Sequence, residues 1–213
     1  MTPQEIKRLQ QFLCDNGFKT DVDGKYGNDT KTKLTAYVTA KLSRLNYTLP
    51  KRKQIVYIRT DYSLTNTYDD FAVLFYDDNL IECAPCSTTA GRHYVMNPLT
   101  VGGITGTAIA VENQIVKNCH VFNTSSNWKT LWLSMPFFRQ IEPMKIYRDG
   151  NKDNVINKGV QTTGLYGINL HRGGLGSIIE RWSAGCMIVP DKYWSVWAKM
   201  FPNGYAMDFV LIG

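Results

Sequence analysis

The chain has 213 residues, 44% of them hydrophobic, which suits one medium-sized domain or such a domain with a small module attached. Its net charge of +6 favours anionic polymers such as nucleic acid, membrane surfaces or bacterial wall, but the densest basic run is Lys51-Arg52-Lys53, so nucleic acid is the weaker candidate. No stretch approaches the ~18 apolar residues of a membrane span, Met1 to Glu5 lack the basic start and apolar core of a signal peptide, and an odd cysteine count, five, argues against a disulfide framework.

From the N-terminus, residues 2–16 read as a helix. Thr2 caps it, Pro3 suits its first turn, Glu5 completes a capping box, and Ile6, Leu9, Phe12 and Leu13 form one apolar stripe. Asn16-Gly17 stops it. A loop with Asp21, Asp23, Gly24, Tyr26 and Gly27 leads to a second helix that starts near Asn28 or Asp29 and buries Leu34, Tyr37, Val38, Leu42 and Leu45. The polar, basic stretch 48–54 with Pro50 reads as a short linker. The expected division is a helical module over 1–47, the linker over 48–54 and a larger domain over 55–213.

Beyond Ile55 the periodicity becomes strand-like. Ile55–Ile58, Phe71–Phe75 and Leu80–Cys83 are short β runs, with a hairpin turn at Asp77-Asp78-Asn79. Cys83-Ala84-Pro85-Cys86 and Ser87–Gly91 read as the start of a long loop region, and the glycine-rich stretch 101–111 as bent strand. Lys145–Arg148 is a strand ending in the tight turn Asp149-Gly150-Asn151. Asp191–Met200 is a helix capped by Asp191, and Asp208–Ile212 a closing strand. The fold class is therefore α+β: a small helical module, then a mainly β domain of barrel or sandwich type.

The chemistry concentrates in Gly167–Gly174 and Trp182–Cys186. Tyr166–Leu170 reads as a strand with His171 at its end, and Met187-Ile188-Val189 as a buried strand with Cys186 at its start. Neighbouring strand ends would bring thiol and imidazole within reach. A thiolate attacks a carbonyl, an imidazole takes and returns the proton, and backbone N–H groups near Gly185 and Cys186 hold the oxyanion, worth roughly 3–4 kcal/mol per donor. A lone Cys and His at such spacing are more often bystanders than partners. With three histidines in the chain, few could serve Cys186. No acidic residue adjoins His171, which leaves a backbone carbonyl, or less well Ser183, to orient it.

In detail, Asn169-Leu170-His171-Arg172-Gly173 followed by Trp182-Ser183-Ala184-Gly185-Cys186 resembles the L,D-transpeptidase (YkuD-like) catalytic domain, closest in wording to its cell-wall hydrolase branch. The chain departs from that pattern at Ala184, where the family usually has a second His, and at Ile188, where it often has Arg or Asn. Ser87–Gly91 and Tyr147–Asn151 also look like segments of that branch. The resemblance implies Cys186 as nucleophile, His171 as base and Gly185 beside the oxyanion, with Arg172, Ser183, Trp182 and His120 at the substrate. Arg172 is the nearest cation for a stem carboxylate, with a surface ion pair as its plain alternative. The N-terminal Leu9-Gln10, Leu13, Gly17, Val22-Asp23-Gly24, Tyr26-Gly27 and Thr30 resemble the peptidoglycan-binding domain 1 repeat, which implies wall contact through Asp23, Gly24, Tyr26 and Gly27.

Other groupings are weaker. Cys83-x-x-Cys86 with Cys119-His120 makes an awkward zinc set and lacks a thioredoxin-like setting, so packed thiols are expected. Asp149, Asn151, Asp153, Val155 and Asn157 look like half a calcium loop, but Asn154 and Val160 stand where Gly and Glu are wanted. His93 reads as a plain loop residue. The resulting expectation is a peptidoglycan hydrolase of endolysin type that uses a cysteine without cofactor or metal. It would act on bacterial peptidoglycan as a monomer with no nucleic-acid or membrane partner, held in the host bacterial cytoplasm until release to the wall. A cross-linking transpeptidase, an antibacterial effector and a non-catalytic wall-binding protein are the alternatives.

Overall fold

Thr2 caps helix α1 (Pro3–Asp15): its Oγ1 accepts from Glu5 N at 3.2 Å and Glu5 Oε2 accepts from Thr2 N at 2.6 Å, the reciprocal box read from the sequence. The computed structural model describes residues 1–60, 64–124, 135–153 and 155–213. Helix α2 (Asn28–Arg44) buries Thr30, Leu34, Tyr37, Val38 and Leu42. The loop between the helices is organised by Gln10, whose Nε2 donates to Asp23 Oδ1 at 2.9 Å and whose Oε1 accepts from Gly24 N at 2.8 Å.

Strands β1 (Lys53–Ile58), β2 (Asp70–Tyr76) and β3 (Asn79–Cys86) form a meander. Asp77 and Asp78 both take positive φ, +49° and +66°, which matches the twist of a two-residue hairpin. After α3 (Arg92–Met96) come a small hairpin of β4 (Thr100–Val101) and β5 (Ile104–Thr105), then β6 (Thr107–Ala110) and the long β7 (Gln114–Asn123). The chain continues through β8 (Phe137–Gln140), β9 (Met144–Asp149), β10 (Val160–Gly164), β11 (Leu170–Arg172) and β12 (Met187–Val189). Helix α4 (Asp191–Trp197), which runs into a 3-10 turn at Ala198–Met200, and β13 (Ala206–Ile212) complete it.

Eight strands form one sheet in the order β12-β11-β8-β7-β13-β1-β2-β3, with β1/β13 and β11/β12 parallel. Ser87, just past β3, bridges to Ile188 in β12 through backbone bonds of 2.9 and 3.0 Å, so the two edges nearly meet. The protein is α+β and mostly sheet, with this barrel-like sheet at its centre. Strands β6, β9 and β10 make a second, three-stranded sheet.

Alternation sorts the central strands into two cores. Ile55, Tyr57, Ala72, Leu74, Phe209 and Leu211 face inward, with Trp194 and Trp197 of α4. Val56, Ile58, Phe71, Val73, Phe75, Val210 and Ile212 face outward and are covered by Leu9, Leu13, Leu34, Tyr37, Val38 and Leu42 of α1 and α2. Burial on both faces explains the continuous apolar runs. It also corrects the expected division of the chain: the two helices are an outer layer of the sheet, and residues 48–54 are no spacer, since Tyr47 and Leu49 join the same core and β1 begins at Lys53.

Two expected segments differ. Cys83–Cys86 belongs to β3, where Pro85 is tolerated because β3 ends the strand order. Tyr166–Asn169 is not strand: Gln140 Oε1 accepts from Tyr166 N (3.1 Å) and Ile168 N (2.9 Å), so a side chain stands in for the neighbouring strand. Among the described residues no helix is long and apolar enough to cross a membrane.

Candidate active site

Parallel pairing of β11 and β12 sets Leu170 against Met187, His171 against Ile188 and Arg172 against Val189. Leu170, Met187 and Val189 point into the inner core, so His171 and Ile188 share the opposite face. Cys186, two residues before Ile188, has that same parity and packs with Ile188 against Tyr68 and Ile179. His171 and Cys186 therefore stand diagonally across one strand pair. His171 lies within β11 rather than after a strand end, because its strand starts only at Leu170.

His171 Nδ1 lies 2.7 Å from the Arg172 carbonyl oxygen. A carbonyl only accepts, so Nδ1 carries the proton and Nε2 is the basic nitrogen. A backbone carbonyl thus orients the ring, the first of the two alternatives open from the sequence. The thiol is half-buried and donates to the Gly167 carbonyl at 3.4 Å, with no hydrogen bond to His171. Burial pushes the Cys186 thiol up to about 11 and His171 down to about 4, so the resting pair is thiol and neutral imidazole.

The turn before the cysteine is held by Ser183. Its Oγ donates to the Cys186 carbonyl (2.8 Å) and accepts from Gly185 N (3.0 Å). Ser183 is 2% exposed, so the expected substrate contact is corrected: this hydroxyl builds the turn. Gly185 is required by φ +129° and by the Ala108 carbonyl, which would stand 2.2 Å from an added Cβ. Its N–H is taken by Ser183, so it is no oxyanion donor; the Cys186 N–H, with no partner among the described residues, is the one available.

His120 is also corrected. It is fully buried in β7, its Nε2 donates to the Ile168 carbonyl at 2.7 Å, and burial holds it down to about 4. It steadies the segment against which Cys186 rests instead of touching substrate. Arg172 pairs with Asp191 (Nη1 to Oδ1, 3.3 Å) and lies over the Trp182 ring at 5.2 Å. Neither Arg172 nor Trp182 lines the cavity at Cys186, which holds about 60 Å³. Asp191 is the first helical residue of α4, and its carboxylate serves Arg172 instead of capping.

Sequence reasoning missed Arg148, which does line that cavity. The available signal was phase: in β9, Met144, Ile146 and Arg148 occupy the buried positions, so a cation stands where an apolar residue is expected. The β4–β5 hairpin was also missed at the site; Leu99 and Val101 reach the cavity while staying well exposed.

The N-terminal loop residues are structural. Tyr26 packs its ring against the outer core and buries its hydroxyl without a partner among the described residues. Asp23 accepts from Gln10 and from Lys25 N (2.8 Å), Gly24 takes φ +79°, and Gly27 is the N-cap of α2. Among the described residues no three His, Cys, Asp or Glu side chains gather as metal ligands. Cys83 faces the outer core and Cys86 the inner one, so they cannot share an ion. Asp149 and Asp153 accept from Asn151, Val155 and Asn157 within their own turn, and Asn154 lies outside the described residues. Comparison of the chain with protein families, curated proteins and solved structures found no match.

Proposed function

We propose that the chain is a cysteine hydrolase of bacterial wall peptides, with an L,D-transpeptidase-like catalytic fold. The observation that carries the reaction type is the orientation of His171: Nδ1 is fixed by the Arg172 carbonyl, which leaves Nε2 as base on the face shared with Cys186. The substrate class rests on the wording around His171 and Cys186 in the sequence.

In the reaction His171 Nε2 takes the thiol proton as Sγ bonds to the carbonyl carbon. The Cys186 N–H stabilises the oxyanion. Collapse breaks the C–N bond, and His171 gives its proton to the leaving amine. Water, deprotonated by His171, then attacks the thioester, releasing the acid and restoring the thiol.

Mass spectrometry of purified peptidoglycan treated with the parent, Cys186→Ala and His171→Ala proteins tests this reading. Shortened or uncrosslinked stem peptides from the parent alone are expected. New crosslinks would make it a transpeptidase, and an intact wall that sediments with both parent and Cys186→Ala would make it a binding protein.

A further inference from the structure

Among the described residues two arginines are buried, and they differ in how their donors are met. Arg59, 4% exposed, bonds through all three nitrogens: Nε to Thr88 Oγ1 (2.7 Å), Nη2 to Thr88 O (2.7 Å) and Nη1 to Ala110 O (2.6 Å). Arg148, 6% exposed, bonds through Nη1 alone, to Gly106 O at 3.1 Å. Its Nε and Nη2 are buried with no hydrogen-bond partner. None of the ion pairs among the described residues includes Arg148. Its neighbour Asp149 is turned to its own loop, accepting from Asn151 N and Asn157 N.

Nε and Nη2 are not any two donors. They form one edge of the guanidinium plane, the edge that grips a carboxylate with two parallel hydrogen bonds. The guanidinium carbon lies over the Tyr166 ring, 4.6 Å from its centre, a contact that restrains the group. Arg148 and Cys186 line the same cavity of about 60 Å³, together with Tyr94, Thr107, Tyr166 and Gly167. A desolvated cation with an empty bidentate edge is unfavourable until an anion arrives.

We infer that Arg148 binds a carboxylate of the substrate beside the bond that Cys186 attacks, an inference that rests on Cys186 as the nucleophile. The substrate is then an acidic peptide whose carboxylate lies within about a residue of the scissile carbonyl, and Arg172, held by Asp191, is not its anchor. Arg148 is a specificity residue that the His-Cys wording does not reveal.

A test independent of hydrolysis uses two alkylating agents of nearly the same shape. Iodoacetate and iodoacetamide both lose iodide to a thiolate and form an S–C bond, but only the first carries a carboxylate. Rates at Cys186 are read by peptide mass mapping at pH 9, with half-buried Cys14 as reference in the same digest. Arg148→Met should lower the iodoacetate-to-iodoacetamide ratio at Cys186 by about tenfold, the effect of one charge-assisted pair, with no change at Cys14. Arg148→Lys should retain part of the preference. Buried Cys83, Cys86 and Cys119 stay unlabelled if the variants are folded. A ratio unchanged in a folded Arg148→Met protein overturns the inference.

A second arm offers wall stem peptides with the C-terminal carboxylate or the side-branch carboxylate amidated in turn. The amide that abolishes parent cleavage identifies which carboxylate Arg148 holds. If no peptide is cleaved but the alkylation ratio falls, the anion site stands and the hydrolase reading falls. If every peptide is cleaved alike and the ratio does not move, the hydrolase stands and the anion site falls.

Discussion

Neutral His171 persists down to about pH 4, and the Cys186 thiol keeps its proton up to about pH 11. The reactive pairing of base and thiol therefore spans that whole interval, and kcat/KM on a wall peptide should be flat from about 5 to 10, with limbs near 4 and 11. An alkaline limb near the ordinary thiol value of ~8.5 would instead mean that burial does not raise the Cys186 thiol. The same burial has a stability consequence. His171 and His120 both fall to about 4, against ~6.5 in an unfolded chain, so the unfolded state binds protons first as pH drops. Each histidine lowers stability progressively from about pH 6.5 to 4, by on the order of 3 kcal/mol when complete. Asp69 works in the opposite direction, since burial and the charge of Asp70 push its carboxyl well above the usual carboxylate range and its contribution is lost as pH rises. The difference between parent and variant separates the two: His120→Gln should lessen the fall in Tm between pH 6.5 and 4 relative to parent. Equal falls in both proteins would remove His120 as a buried titrating group.

The turn from Ser183 to Cys186 converts backbone geometry into a presented thiol. Ser183→Ala would strand the Gly185 N–H in a buried turn and should cost about 1–3 kcal/mol in denaturant unfolding. Gly185→Ala meets both a positive φ and the Ala108 carbonyl and should cost at least about 2 kcal/mol, with loss of activity exceeding that of Ser183→Ala. What was readable in advance follows the same line between local and distant causes. Helix α1 was legible because its capping box and stripe lie within thirteen residues of helix. The Asp77-Asp78 hairpin and the Met187–Val189 strand were legible for like reasons. The long β7 was not, because its ladder bends at a bulge opposite Asp208 and at Asn118, which takes φ +49°. The proposal of Cys186 and His171 as a pair rests on wording, whereas the surroundings of Ser183, His120 and Arg172 depend on Gly185 N–H, the Ile168 carbonyl and Asp191, partners that only the fold supplies.

The helical layer and the sheet share one core, so neither should stand alone. A fragment of residues 51–213 would expose Val56, Ile58, Phe71, Val73, Phe75, Val210 and Ile212 to water, and it should lack a cooperative thermal transition by circular dichroism. Leu13→Ala, at a site with no exposure, should cost about 2–5 kcal/mol even though it lies in the helices and far along the chain from Cys186. A fragment that melts sharply would restore the picture of a separable module. Buried Asp70 adds a second tie: it accepts from Thr88 N at 2.9 Å and Thr88 Oγ1 at 2.6 Å, and Thr88 in turn accepts from Arg59, which pins the segment leading into the Ser87–Ile188 bridge. That bridge joins the end of the β1-β2-β3 meander to one of the chain's last strands, and Cys186 sits two residues from it. Such distant pairings form late, because loop closure precedes any gain from contact. The setting of Cys186 therefore depends on a long-range contact, and on refolding from denaturant the far-ultraviolet signal should recover before Cys186 regains its native reactivity toward iodoacetamide. A half-folded copy carries Cys186 and His171 in its sequence but does not yet hold them on one strand pair.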